Sequence, residues 1–426
     1  MIDMISDDEI RERVRTLMFN NIRARVSPYL KRHYCYVMPS PERYPFQWFW
    51  DTCFHTFILC ALGELALAKQ NFQSLFTMQK KDGFIGHMVF WESLLPKDKW
   101  NILEGPPVWQ QIRPHMSFLI QPPLIAQALA RIYRDSKDEE FLQSLLPKIK
   151  KYYHWVAANR DFDGDGLLSI ISNFESGIDH KPSFDEVIGN RSRKTSDKFF
   201  WKVISVQFRN FIKWYKLKKI YKANVFIVKE TLFNTMYVQD LRALSDLCRL
   251  TKDKDADKYE ELAHKVAMRM LDIMYDEETA AFYDVHGPEN KKMKVLTFTS
   301  GIPIIMKEVS KKIAHEILER HFLNEDEFNL TYPIPSVAKN EPSFDPHDSR
   351  FLWRGPTWPV INWFLYHSFL ANGFEKQARG LLQAMKALIE KSGFREFYNP
   401  FNGKGYGAKD FTWSGLVVDL MEAERK

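Results

Sequence analysis

The sequence predicts an all-α fold, a helical barrel or toroid, on three observations. Apolar residues recur at helical spacing from one end of the 426 residues to the other. No stretch rich in Pro, Ser and Gly divides the chain. The connections between helices are long and crowded with Trp, Arg and carboxylates, and long loops in a compact domain are usually functional. Antiparallel helices with such loops gathered at one end describe a single domain over 1–426, with its site in the loops.

Taken in order, Asp7 to Val26 opens as a helix, with Ser6 as N-cap and Glu9 as its capping-box partner. Phe54 to Ala68 is almost continuously apolar, so a helix there is buried on every side. Further helices are expected over Pro122 to Tyr133, Glu139 to Ala158, Thr231 to Leu250 and Lys258 to Met274. Three more follow over Thr357 to Leu370, Glu375 to Ile389 and Thr412 to Glu424. The least regular part is residues 190–223, a basic, aromatic excursion or a mobile lid within the domain.

That excursion holds much of the excess positive charge. Net charge is +6, while Arg191 to Lys222 contains eleven Lys and Arg interleaved with Phe, Trp and Tyr. Such a composition allows a nucleic-acid or acidic-membrane contact. An amphipathic, solvated segment packed over a barrel mouth is the expected reading, since charge elsewhere is nearly balanced. No nucleic-acid or membrane partner is therefore expected; a homo-oligomer remains open. The four cysteines form no CxxC pair and fit a reducing compartment. The acidic N-terminus lacks a secretory signal, and no apolar run approaches the ~20 residues that span a bilayer. A soluble, cytoplasmic protein is expected.

Chemistry-bearing residues fall in five clusters. Tyr44-Pro45-Phe46-Gln47-Trp48-Phe49-Trp50-Asp51 ends where a buried helix begins. Its rings can stack on sugar faces while Gln47 and Asp51 hold hydroxyls; a capped helix with an aromatic plug is the alternative. Asp161-Phe162-Asp163-Gly164-Asp165-Gly166-Leu167 copies half of a calcium loop, but Ser172 stands where the bidentate Glu belongs. It reads as a tight turn, and no metal is expected. Glu175-Ser176-Gly177-Ile178-Asp179 sets two carboxylates about a bendable pair. An acid there could be held protonated by apolar or anionic neighbours, unless this is an ordinary polar loop. Trp353-Arg354-Gly355-Pro356-Thr357-Trp358 puts an Arg on a stiff turn between two Trp, suited to gripping a hydroxyl or carboxylate or to packing alone. In Arg395-Glu396-Phe397-Tyr398, before a glycine-rich run ending at Phe411-Thr412-Trp413, one Glu sits among aromatics; a surface pair with Arg395 is the alternative. No nucleophile elbow, phosphate loop, HExxH or dinucleotide fingerprint occurs, so no cofactor is expected.

In this order, and with Asp82-Gly83-Phe84-Ile85-Gly86-His87-Met88-Val89-Phe90-Trp91 and Gln121-Pro122-Pro123 between them, the clusters resemble the inverting glycoside hydrolases of family 63, which includes processing α-glucosidases. The branch most resembled hydrolyses mannosylglycerate and glucosylglycerate. The resemblance implies an (α/α)6 barrel, with Asp179 as general acid and Glu396 as general base. It places Trp50, Asp51, Gln121, Trp353 and Arg354 at sugar-binding positions. Tyr44, Gln47, Trp48, Trp358 and Tyr398 are further candidate substrate contacts from the clusters themselves, and the rival carboxylates Glu175 and Asp51 are expected to hold hydroxyls or to orient the acid. Inversion needs the two carboxyls roughly 6.5–9.5 Å apart to admit water. A glycerate acceptor needs a carboxylate-binding Arg or a set of hydrogen-bond donors beyond the scissile bond, for which Arg113, Arg350 and Arg354 are the candidates, helped by Tyr398 and Gln47. Two departures stand out: Lys181 close to the acid, where its charge would favour ionisation, and Gly86 in the loop that lies near glycerate in that branch. The alternatives are an α-glucosidase or trehalase-like activity on a neutral di- or oligosaccharide, and an inactive sugar-binding barrel.

Overall fold

A computed structural model describes residues 5–92 and 115–425. Helix α1 (Asp7–Asn20) starts as expected: the Ser6 hydroxyl accepts from the Glu9 amide at 3.2 Å. It stops six residues before Val26. The buried Asn21 carboxamide donates to the carbonyls of Met38 and Asp410, and Ile22–Val26 pairs antiparallel with His33–Val37. Cross-strand pairing overrides helical propensity there. The apolar run at 54–68 is also divided. Helix α2 (Phe49–Ala61) begins earlier and is buried at every position, while Gly63, with φ +81°, breaks it from α3 (Leu65–Thr77).

Helix α4 (Ile125–Ser136) starts past Pro122 and Pro123; the Ala126 and Gln127 amides of its first turn donate at 2.8 Å each to the Asp240 carboxylate. Helix α5 (Glu139–Arg160) is capped by Asp138, whose carboxylate accepts from the Phe141 amide. After a four-residue turn of helix, α6 (Asp185–Ile188), come α7 (Asp197–Phe211) and α8 (Leu217–Ala223). The stretch expected to be least regular is thus largely helical. Ser196 caps α7, and Phe199, Val203 and Val206 bury one of its faces.

Helices α9 (Thr231–Leu250), α10 (Ala256–Ile273), α11 (Lys311–Ile317), α12 (Pro359–Leu370), α13 (Glu375–Ser392) and α14 (Val417–Glu424) complete the order. Thr412–Leu416, expected within the last helix, is a tighter 3-10 turn leading into it. The packing closes on itself. Helix α2 lies against α4, α4 against α9, and α9 against the turn Ile302–Ile305. That turn meets α12, which meets Thr412–Leu416 and α14, and these return to α2. Outside this circuit α3 backs α2, α10 backs α9, α13 backs α12 and α1 backs α14. The Asp161–Leu167 turn is closed by cations of the chain: the Lys229 ammonium lies 2.7 Å from Asp163 and 2.8 Å from Asp165, with Arg269 at 3.2 Å.

Asp240 joins two neighbouring helices of the circuit and also accepts from the Tyr153 hydroxyl. Its removal strands the buried Ala126 amide, the partly buried Gln127 amide and the buried Tyr153 hydroxyl, at roughly 1–3 kcal/mol for each buried group. Asp240→Ala should therefore lower unfolding free energy by about 3 kcal/mol or more in urea titrations, and an unchanged midpoint would refute this role.

Candidate active site

The strand Gln47–Trp48 pairs with Met88–Val89 and runs directly into α2, which sets Trp50 and Asp51 on that helix's first turn. The Trp50 amide donates to Gln121 Oε1 at 3.1 Å, fixing Gln121 beside it. Asp51 accepts from the Trp413 indole at 2.7 Å, and burial raises its carboxyl to about 7 against that bond. His87, on the facing loop, is held by Ser117 through Nδ1 and kept neutral, its pKa lowered to about 3 by burial.

The Asp179 loop is built from within. Ser172 caps a 3-10 turn, Asn173–Ser176, and the Asn173 carboxamide donates to the Asp179 carbonyl at 2.8 Å. Gly177, at φ +72°, crosses the face of Trp50 so closely that a Cβ would lie 2.4 Å from the indole. Lys181 turns away from the acid. Its buried ammonium meets Glu230, Asp284 at 3.0 Å and Thr299 at 3.2 Å, so its charge is consumed there. Asp179 is half-buried and faces the cavity. Burial, and then the nearby charge of Glu396, raise its carboxyl to about 8.

Glu396 sits on the strand Arg395–Tyr398, paired with Gly405–Lys409 and irregular in register at that residue. Such a bulge re-aims a side chain. Its Oε1 accepts from the Tyr44 hydroxyl at 2.8 Å, and its Oε2 from the Ala408 amide at 2.8 Å and Arg43 at 3.3 Å. Both oxygens are acceptors, pointed into the same cavity as Asp179.

That cavity encloses about 1000 Å³, its open mouth included. Trp48, Trp50, Trp353, Trp358 and Trp413 wall it, with Trp353 and Trp358 stacked at 3.8 Å and Trp50 edge-on to Trp413 at 5.3 Å. Flat indole faces next to carboxylates suit a sugar ring, which offers apolar C–H faces and a rim of hydroxyls. Of the residues singled out by sequence, Tyr44, Trp48, Trp50, Asp51, Gln121, Asp179, Trp353, Trp358 and Glu396 meet here.

Four do not. Gln47 is buried behind the wall, donating to the Asn71 carbonyl and accepting from Trp91. Glu175 is buried on Arg160 and the amides of Ile120 and Ile171. Arg354 is spent on Asp185 and lies over the Phe199 ring. The Tyr398 hydroxyl donates to the Gly393 carbonyl and meets Ser414. Each is a polar group taken out of water and satisfied by the protein, hence support for the site and not a contact within it. Arg113 lies outside the described residues. Sequence reasoning passed over Trp413 and Phe411 as site residues, though they end the glycine-rich run after Glu396. It also missed His87, His180 and the α7 residues Phe200, Val203 and Ile204, whose one-sided spacing on a helix was the available signal. Among the described residues, no three His, Cys, Asp or Glu are grouped to hold a metal ion.

Residues 44–414 match the family model described as the mannosylglycerate hydrolase MGH1-like glycoside hydrolase domain. A mannosylglycerate hydrolase of Rubrobacter radiotolerans is 26% identical, over 91% of this chain and 93% of that protein. A glucosylglycerate hydrolase of Mycolicibacterium hassiacum is 23% identical, over 89% and 92%. Among solved structures, a GH63 mannosylglycerate hydrolase of Thermus thermophilus, in complex with Tris and D-glycerate, superposes with a TM-score of 0.84. It is 25% identical and covers 97% of this chain and all of that one.

Because the folded-state value of Asp179 lies above its unfolded one, the native state holds the extra proton between pH ~4 and ~8, and stability falls as pH rises through that window. Asp179→Asn removes the penalty. Its Tm should exceed the parent's at pH ~8 and converge with it near pH ~4; equal Tm values across that range would contradict the raised acid.

Proposed function

The chain belongs to the mannosylglycerate hydrolase MGH1-like glycoside hydrolases, and from that premise we propose that it cleaves the α-glycosidic bond joining a hexose to glycerate, with inversion. Mannosylglycerate and glucosylglycerate are the substrates that its relatives' activities suggest. The observation that carries the reading is a division of labour between two carboxyls of one cavity. Asp179 keeps its proton to about pH 8, while Glu396 is fixed by three donors. Asp179 protonates the leaving glycosidic oxygen, and Glu396 draws a proton from water attacking the opposite ring face. Asp51, Gln121 and the indoles of Trp50 and Trp413 hold the hexose.

The glycerate carboxylate needs a cation in a cavity that already holds three carboxyls. Among the described lining residues Arg350 is the sole Lys or Arg. It stands at the mouth over the Phe200 and Phe351 rings, paired with Asp197. Arg354, Tyr398 and Gln47 are committed elsewhere and Arg113 lies outside the described residues, so among the described residues Arg350 is the acceptor-side contact. The closed circuit from α2 to α14 supports an (α/α)6 toroid, within one domain over 1–426, with 190–223 as an excursion over its mouth. No helix among the described residues is long and apolar enough to cross a membrane. Four unpaired cysteines, three of them buried, support a reducing, cytoplasmic setting.

The test is hexose release from mannosylglycerate, glucosylglycerate, trehalose and kojibiose, with the first-formed anomer read by proton NMR. Glycerate glycosides should be cleaved with inversion and kcat/KM should decline above pH ~8. Glu396→Gln and Asp179→Asn should each lose two to four decades or more of kcat. Cleavage of trehalose or kojibiose alone would replace the glycerate reading with a neutral-acceptor glycosidase, and a rate retained in either variant would remove the catalytic assignment. Arg350→Ala should raise KM for a glycerate glycoside by roughly tenfold to a hundredfold, the worth of a charged hydrogen bond, while leaving an aryl α-mannoside nearly unaffected. Equal effects on both substrates would exclude Arg350 as the carboxylate contact.

A further inference from the structure

We propose that the outer face of α7 and the adjoining α8 segment form a docking surface for an anionic lipid bilayer. The sequence alone suggested a solvated cover over the pocket, and only the inner face of α7 behaves so: Phe200, Val203 and Ile204 line the cavity. On the outer face Trp201 is 64% exposed, Phe208 51% and Ile212 54%, and Trp214, just past the helix, is 69% exposed. Trp201, Phe208 and Ile212 stand at i, i+7 and i+11, so they form one stripe. Lys198, Lys202 and Arg209, at i, i+4 and i+11, form a second stripe beside it. Exposed Lys216, Lys218, Lys219 and Lys222 extend the cationic rim. A row of large apolar side chains edged by lysines on one solvent-facing helix is the arrangement of helices that lie in the headgroup region, with rings and aliphatics below the phosphates and ammonium groups among them.

Charge selects the occupant. Residues 191–222 carry eleven Lys and Arg against the single acid Asp197, in a chain whose total is only +6, so the remainder is net acidic. A second copy presenting this same face would oppose cation to cation, as a two-fold interface requires. A nucleic acid would be met by Arg forks, whereas Arg209 is the one arginine of the outer face and lysines make up the rest of its cationic rim. An anionic leaflet satisfies both stripes together. Docked in this way, the cavity mouth beneath α7 is held close to the membrane.

The test is co-sedimentation of the full-length protein with vesicles of one-third phosphatidylglycerol in phosphatidylcholine, beside pure phosphatidylcholine. Binding should be at least about tenfold tighter to the anionic vesicles and should largely vanish on raising salt from ~0.1 M to ~0.5 M. The triple variant Trp201→Ser, Ile212→Ser, Trp214→Ser should bind about tenfold or more weakly while keeping the parent's Tm, which separates lost docking from lost folding. Lys198→Glu with Lys218→Glu and Lys219→Glu should abolish the preference for anionic lipid. No sedimentation, equal sedimentation with both vesicles, or undiminished binding by the triple Ser variant would each overturn the proposal. So would tighter capture of a single-stranded RNA oligonucleotide than of the vesicles, or a concentration-dependent dimer that the Ser variant loses.

Discussion

The buried ion pair of Arg160 and Glu175 is the constraint on which the cavity depends. Both side chains are shut off from water, and Glu175 also accepts from the amides of Ile120 and Ile171. Burial pushes its carboxyl up, and the guanidinium and those two amides oppose that push. Three segments far apart in sequence are thereby held to one point: the end of α5, the run that delivers Gln121, and the turn that delivers Asp179. Such a pair adds little net stability over apolar packing, because desolvation consumes most of its attraction. Breaking one half, however, leaves an uncompensated charge at roughly 3–5 kcal/mol. The pair therefore specifies the loop arrangement more than it stabilises the fold.

Around that fixed point the carboxyls of the cavity are set apart by their surroundings. Asp51 and Asp179 are both raised by burial, to about 7 and about 8, and Glu396 adds its charge to each. Glu396 receives a phenol, an amide and a guanidinium, all donors. Asp179 receives no such set from other residues, and burial beside the charge of Glu396 raises it above Asp51. A cation beside Asp179 would reverse this order. Lys181, one residue beyond its neighbour His180, is prevented from doing so by two buried acids that hold its ammonium elsewhere.

What could be read from the sequence follows from how local each determinant is. Caps and apolar spacing are local, so α9 appears at its expected bounds and α5, α10 and α13 within a few residues of theirs. The end of α1 was not legible, because the strand that displaces it pairs with residues further on. The clusters located the chemistry, yet residue type could not tell a wall residue from one spent behind the wall. Arg354 reads as a grip for ligand until Asp185, 169 positions earlier, takes its guanidinium. Gln47, Glu175 and Tyr398 were misplaced for the same reason: each is satisfied by a partner that only the packed fold brings near.

The same reasoning bears on whether residues 190–223 can swing as a lid. Gln207 of α7 accepts from the Ser172 hydroxyl and donates to the Asn173 side chain, both at 2.9 Å, and Asn210 donates to the Ile171 carbonyl at 2.7 Å. Asn173 in turn holds the Asp179 carbonyl. Lifting α7 alone would break these three buried hydrogen bonds, at roughly 1–3 kcal/mol for each group left unpaired, and would loosen the backbone of the proposed acid. The helix is then a buttress of the acid loop. Arg350, at the mouth, is held to it more loosely. Its link to α7 through Asp197 lies at the surface, where an ion pair is worth little and a ligand carboxylate can compete for it.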